Sequence, residues 1–312
     1  MNSTVLITGA AGYIGSVLCG RLLEQGCSVI ALDNLHYGET SLFHLCANPQ
    51  FEFVPADARD ESALKPLVAR ADVIIPLAAM VGVGACQRDP VLTRSINFEA
   101  VRALNAMRSA DQLLIYPNTN SGYGISSGQT FCTEDSPLQP ISLYGETKVA
   151  AERVVLEGAN SIAFRLATVF GLSPRMRLDL LVNHFVHAAV NDGYLVLFEK
   201  DFKRNFVHVR DVADCFVHAI ENRSRMAGKV FNLGLDAANL SKAELADKVK
   251  AQVPNFYIHY AEIGSDPDKR NYIVSNQRLQ EAGFVAKRSL EEGIRELIKG
   301  DRMLGRRKFH NV

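Results

Sequence analysis

The chain has 312 residues, 47% of them apolar and 22% charged, and its 34 basic side chains balance 34 acidic ones. That balance argues against a polyanion-binding surface. No apolar run approaches the ~20 residues needed to cross a bilayer, and "MNSTVLITGA" lacks the basic segment and cleavage site of a signal peptide. The six cysteines at 19, 27, 46, 86, 132 and 215 show no C-x-x-C spacing, so free thiols in a reducing cytoplasm are expected.

The first half alternates strand and helix patterns. "TVLITG" reads as a strand, "YIGSVLCGRLLEQG" as a helix stopping at Gly26, "SVIALD" and "FEFVPAD" as buried strands. "ESALKPLVAR" reads as a short helix despite Pro66, and "DVIIPLAA" as a fourth strand. "PVLTRSINFEAVRALNAMRSA" is one long helix with Pro90 in its first turn. "QLLIYP" is a fifth strand, followed by the helix "YGETKVAAERVVLEG" and the strand "SIAFRLATVFG". Strands apolar throughout and separated by helices imply a parallel sheet covered on both faces. Beyond about residue 170, "SPRMRLDLLVNHFVHAAVNDG" reads as one helix, "NFVHV" and "KVFNLG" as strands around the helix "RDVADCFVHAIEN", and the remainder as mostly helical. A basic tail, "DRMLGRRKFHNV", reads as frayed and solvated.

"TGAAGYIGS" places Gly9, Gly12 and Gly15 between the first strand and first helix. Glycines there allow a tight turn and a close backbone approach to a pyrophosphate, and the helix beyond supplies N–H groups and a positive dipole end. Asp33 closes the second strand. Its carboxylate suits the two ribose hydroxyls of an adenosine and repels a 2′-phosphate, and no arginine flanks it in "LDNLHYG". NAD is therefore expected over NADP.

"YPNTNSGYG" crowds Thr119, Asn120 and Ser121 into a turn at a strand's carboxyl end, where open α/β sheets bind ligands. Next comes Tyr144-x-x-x-Lys148, which puts both side chains on one helix face. An ammonium beside a phenol favours the phenolate, as a general base requires. Thr119 would then hold the substrate oxygen while Tyr144 takes its proton, with Asn120 and Ser121 as further substrate contacts.

These segments, with "LDNL", "ADARD", "PLAA", "FRLATVFG" and "RNFVHVRDVA", resemble the extended short-chain dehydrogenase/reductase family, specifically its nucleotide-sugar epimerases, dehydratases and dehydrogenases. The resemblance spans nearly the whole chain. It implies a Rossmann doubly wound parallel sheet over 1–167, with 206–233 contributing, and a smaller, mostly helical substrate domain over 168–205 and 234–312. It implies that Gly9, Gly12, Tyr13, Ile14 and Gly15 line the NAD pyrophosphate, that Asp33 and Asn34 meet the ribose, and that Asp57 and Ala58 meet the adenine. Leu77, Ala78 and Ala79 would run along the cofactor. Thr119, Tyr144 and Lys148 match the catalytic set, and Arg204 and Arg270 the diphosphate-binding arginines, a role suited to a planar fork of donors. It also implies a nucleoside diphosphate sugar as substrate, neither nucleic acid nor membrane as partner, a cytoplasmic location, and a homodimer or larger assembly through the helices 90–109 and 144–158.

Where 4,6-dehydratases carry an acidic pair after the threonine, this chain has Asn120 and Ser121, which disfavours dehydration. Where 3,5-epimerising relatives carry a cysteine, it has Ser121. Thr168 replaces a family asparagine at a substrate contact. What remains is reversible hydride transfer at the C4 hydroxyl. "YPNTNSGYG" and "FRLATVFG" with the "RMRLDLLVN" that follows most resemble a bacterial capsule and surface-polysaccharide subgroup that includes GDP-manno-heptose 4-dehydrogenases. A 4-epimerase uses the same residues, and a non-catalytic dinucleotide sensor would not need the triad. His184 and His187 are spaced for a shared metal but have no third ligand, so no metal is expected. His208 reads as a packed or hydrogen-bonded histidine. Arg175 and Arg177 suit a phosphate or an interface equally.

Overall fold

The computed structural model describes residues 2–38, 40–125, 130–264 and 270–304. In chain order its first half contains β1 (Thr4–Thr8), α1 (Tyr13–Glu24), β2 (Ser28–Asp33), β3 (Phe51–Pro55), α2 (Glu61–Val68), β4 (Val73–Pro76), α3 (Val83–Arg88), α4 (Pro90–Arg94), α5 (Ala100–Met107), β5 (Leu113–Thr119), β6 (Phe131–Cys132), α6 (Leu143–Glu157) and β7 (Ser161–Leu166). The second half contains β8 (Thr168–Phe170), α7 (Leu181–His187), β9 (Tyr194–Leu197), β10 (Lys203–His208), α8 (Val209–Glu221), α9 (Arg223–Met226), β11 (Lys229–Leu233), β12 (Asn239–Ser241), α10 (Lys242–Lys250), β13 (Tyr257–Tyr260), β14 (Ile273–Val274), α11 (Gln277–Glu281) and α12 (Leu290–Leu304).

Seven strands form one parallel sheet in the order β11-β7-β5-β4-β1-β2-β3. The order reverses direction at β1, which opens a crevice between the carboxyl ends of β1 and β4. Alternation along β1 shows why these strands read as apolar throughout. Val5 and Ile7 join the large core on the α1 and α8 side, while Leu6 joins Leu64, Leu67 and Leu104 on the opposite side. Fully burying each such side chain contributes roughly 1.5–3 kcal/mol. Helix starts follow local chemistry: Asp60 accepts from Ser62 N and Ala63 N ahead of α2, and Ser142 accepts from Gly145 N ahead of α6.

The structure departs from the sequence pattern at several places, among them the strands β12, β13 and β14 in a stretch read as mostly helical. "SIAFRLATVFG" is two strands, not one. Ala167 N makes the last rung, to Leu233 O, and past it β8 leaves the main sheet to pair with β10. The helix expected from Ser173 starts only at Leu181, because the Ser173 hydroxyl accepts from Arg175 N and makes a turn there. The long helix after Pro90 is interrupted by a π turn over Ser95–Glu99. β5 extends through Thr119 rather than ending at Pro117. Among the described residues outside the main sheet, short strands form three small sheets, one of three strands and two of two. Within the span 206–233, α8 packs on α1 and β11 completes the main sheet, whereas β10 belongs to a small sheet. Most of the basic tail, residues 305–312, lies outside the described residues.

Candidate active site

A cleft of about 800 Å³ runs along the carboxyl ends of the strands, from Asp33 and Asp57 at one end to Thr119, Tyr144, Arg204 and Arg270 at the other. Gly9 stands at φ +72°, and a Cβ there would lie 2.5 Å from Ala78 N, so only glycine lets the loop lie this close to the β4 end. A Cβ on Gly15 would lie 2.5 Å from Ala10 O. Gly12 is the N-cap of α1, no side chain caps that helix end, and its first turn carries no acidic residue. That cradle fits an anionic pyrophosphate.

Asp33 holds the loop as well as facing the cleft. Its carboxylate accepts from Ala11 N at 2.9 Å and Leu35 N at 2.8 Å. Burial raises its pKa, against those two hydrogen bonds and the charge of Arg175. The fold thus supplies a cation that the flanking sequence lacks: Arg175, 2% exposed, stacks 4.4 Å from the Tyr37 ring and lines the same end of the cleft. Asn34 donates to Asp57 at 3.3 Å. Arg59 clamps Asp57 through two bonds of 2.9 and 2.8 Å, holding its carboxyl down at about 2. Ile14, Ala58, Leu77, Ala78 and Ala79 line the cleft. Tyr13 contributes differently: its phenol donates to Gly171 O at 2.7 Å and accepts from Asn183 at 3.2 Å, fastening α1 to the second half of the chain.

At the other end, Tyr144 and Thr119 line the cleft together. Thr119 in turn donates to the Ser121 hydroxyl at 2.9 Å, and Arg270 donates to that same hydroxyl. Burial raises the Tyr144 pKa, and the charges of Arg177 and Arg270 lower it. Lys148 sits one helical turn behind, outside the cleft wall and 4% exposed, with Nζ 4.2 Å over the Tyr116 ring. Arg204, 2% exposed, donates to Lys203 O at 2.9 Å, and like Thr168 it lines the cleft. Asn120 does not reach the cleft. The Thr119 hydroxyl accepts from Ser121 N and starts a 3-10 turn that buries Asn120 completely, with neither side-chain polar atom partnered among the described residues.

Further side chains shape the site, and of these the sequence did not flag Asn97. Arg177 lines the cleft and pairs with Asp179 at 2.5 and 3.2 Å. Asn97 grips both Met80 N (2.8 Å) and Met80 O (2.9 Å), fixing the loop after β4. His184 lines the cleft, whereas His187 faces Asp301 at 2.7 Å, so the two do not share a site. His208 is buried, accepts from Arg210 N ahead of α8 and faces Glu296.

Residues 5–234 match the sequence family described as the NAD dependent epimerase/dehydratase family. The chain is 31% identical over 312 residues to a UDP-glucose 4-epimerase of Mycolicibacterium smegmatis, covering 94% of this chain and 97% of that protein. It is 28% identical to UDP-glucuronic acid decarboxylase 1 of Arabidopsis thaliana, over 94% of this chain and 68% of that one. Among solved structures, a Thermotoga maritima UDP-glucose 4-epimerase with UDP-glucose superposes at a TM-score of 0.82, with 25% identity over 96% of this chain and 99% of that one. A Bacillus cereus UDP-glucuronic acid 4-epimerase with UDP-glucuronic acid and NAD superposes at 0.83, with 24% identity and the same coverage.

Proposed function

The chain belongs to the NAD-dependent epimerase/dehydratase family, and on that premise we propose that it oxidises the C4 hydroxyl of a nucleoside diphosphate sugar. The observation that carries this reading is the convergence of Thr119, Tyr144, Arg204 and Arg270 at one end of a cleft whose other end is the glycine cradle. NAD bound along that cradle supplies the hydride acceptor. Tyr144 takes the proton from O4, Thr119 holds that oxygen, and Lys148 behind the tyrosine favours its phenolate. Arg204 and Arg270 hold the diphosphate, Ser121 and Thr168 contact the sugar, and Asp33 and Asn34 take the adenosine ribose. No acid follows Thr119, so no group stands there to expel a C6 hydroxyl.

The first finer reading is release of a 4-keto product, as in the GDP-manno-heptose 4-dehydrogenases that the chain resembles. The second is a 4-epimerase, favoured by the identity to the mycobacterial UDP-glucose 4-epimerase. Single-turnover mixing of NAD-loaded protein with GDP-manno-heptose, UDP-glucose and UDP-glucuronate separates them. Lasting nicotinamide reduction with a 4-keto sugar by mass spectrometry marks a dehydrogenase. Return of the absorbance with a C4 epimer marks an epimerase. Tyr144→Phe should slow reduction by roughly 10²–10⁴-fold while sugar binding survives. Reduction as fast as the parent's overturns the assignment.

A further inference from the structure

The segment between β8 and α7 crosses to the first half of the chain and is fastened there. Gly171 O accepts from the Tyr13 phenol at 2.7 Å, and Asn183 donates to that phenol at 3.2 Å and to Arg177 O at 2.9 Å. The Ser173 hydroxyl donates to Tyr13 O at 2.7 Å, so it accepts from the Ser16 hydroxyl at 2.9 Å as well as from Arg175 N at 3.2 Å. A serine hydroxyl has one proton and two lone pairs, and all three are used. Tyr13 and Ser16 belong to the first turn of α1, directly after the glycine cradle.

Arg175 sits on this anchored segment, 2% exposed, and its Nη1 donates to Met176 O at 2.6 Å. Its guanidinium lies 4.4 Å from the centroid of the Tyr37 ring, and both side chains line the cleft. Tyr37 comes from the opposite side, on the loop that follows Asp33. Local turns close that loop: Leu35 N donates to Asp33 at 2.8 Å, His36 N to Asn34 at 3.1 Å, and Gly38 N to Leu35 O at 2.8 Å. Leu35 stands at φ +52°, a strained setting for a leucine, and Tyr37 is 40% exposed. The two sides are thus built differently. An anchored segment carries the cation, and a strained, self-contained turn carries the ring. A cation–π contact to so open a ring is modest in strength, and an apolar pair would join the two sides without desolvating a charge. A contact that holds yet can part is what a gate requires.

We propose that Arg175 and Tyr37 form a latch across the cofactor end of the cleft: NAD enters and leaves when the loop carrying Tyr37 swings off the Arg175 guanidinium, and stays bound through turnover while the two are stacked. The proposal goes beyond the C4 reading and needs only that NAD lies along the glycine cradle. Both partners are protein side chains, so the latch gates entry as well as exit. Losing a side chain whose only contact is with the cofactor would speed exit alone.

The test is stopped-flow fluorescence of NADH. Mixing the protein with NADH gives the association rate, and chasing the NADH-loaded protein with excess NAD gives the dissociation rate. Tyr37→Leu removes the ring face and keeps an apolar side chain on the loop. It should raise both rates by roughly 2- to 30-fold, with Kd changing by less than about twofold. Tyr37→Phe keeps the ring and should match the parent in both rates. Arg175→Met removes the guanidinium, and combined with Tyr37→Leu it should release NADH no faster than the faster single variant, because the two share one contact. Parent-like dissociation in Tyr37→Leu overturns the proposal. So does faster dissociation with association unchanged, which marks Tyr37 as a cofactor contact only. Equal acceleration in Tyr37→Phe, or a double variant faster by the product of its singles, overturns it too. If Arg175→Met does not fold, the two Tyr37 variants decide. Failure of the premise looks different, since the parent itself would then bind no NADH. Tyr144→Phe reducing nicotinamide as fast as the parent would sink the C4 reading and leave the latch standing.

Discussion

Gly9→Ala separates the architecture of the glycine loop from its ligand chemistry. Gly9 stands at φ +72°, where a side chain costs roughly 1–2 kcal/mol. The added Cβ would lie 2.5 Å from Ala78 N, 2.7 Å from Ala78 Cα and 2.8 Å from Leu77 C. These are backbone atoms of the β4 end, and they cannot rotate aside. Forcing a methyl into such a contact costs about 1–3 kcal/mol. The sum, about 2–5 kcal/mol, is a large share of the roughly 5–15 kcal/mol that holds a protein folded. At roughly 2–4 °C per kcal/mol for larger chains, the melting temperature should fall by about 4–20 °C. Gly12→Ala is the control. Gly12 has φ −75°, and the nearest contact to its Cβ is Gly9 O at 3.1 Å. Its melting temperature should stay within about 2 °C of the parent's, while NAD affinity falls at least roughly tenfold, about 1.4 kcal/mol. Differential scanning fluorimetry without NAD and isothermal titration with NAD read the two effects. If Gly9→Ala melts within about 2 °C of the parent, or both variants lose equal stability, the strain reasoning is wrong.

Two further outcomes are expected. NAD should bind at least roughly tenfold tighter than NADP, and Asp33→Asn should narrow that ratio because it removes the charge that repels a 2′-phosphate; equal affinities in the parent would overturn the role given to Asp33. Static light scattering at micromolar concentration should give at least twice the 34.3 kDa chain mass, through the helices after Pro90 and α6, and a mass near 34.3 kDa throughout would contradict that pairing.

The parts of the fold and site that were legible in the sequence are those whose cause is local. Gly9, Gly12 and Gly15 could be read because a tight turn into a helix needs glycine at those spacings. The parallel sheet could be read because β1, β2 and β4 are apolar on both faces. Tyr144 and Lys148 could be placed on one helix because four residues make about one helical turn. Other features depend on contacts that no local pattern records. The strand "SIAFRLATVFG" divides where β11 stops offering partners, at the rung from Ala167 N to Leu233 O. Asn120 looked like a substrate contact among its hydroxyl-bearing neighbours, yet the Thr119 hydroxyl starts a turn that buries it.

The same distinction bears on the chemistry. The Y-x-x-x-K spacing assigns the cation beside the tyrosine to Lys148, but the charges that lower the Tyr144 pKa in the fold belong to Arg177 and Arg270. Both come from the second half of the chain, and both line the cleft where the sugar would sit. Lys148 stands behind the cleft wall, whereas a guanidinium on that wall is open to claims from the anionic groups of a bound ligand. Arg270 is already drawn toward Ser121, and Arg177 toward Asp179. If a diphosphate took up the charge of Arg270, the stabilisation that Arg270 gives the phenolate would weaken, leaving Arg177 as the other cation that lowers the Tyr144 pKa.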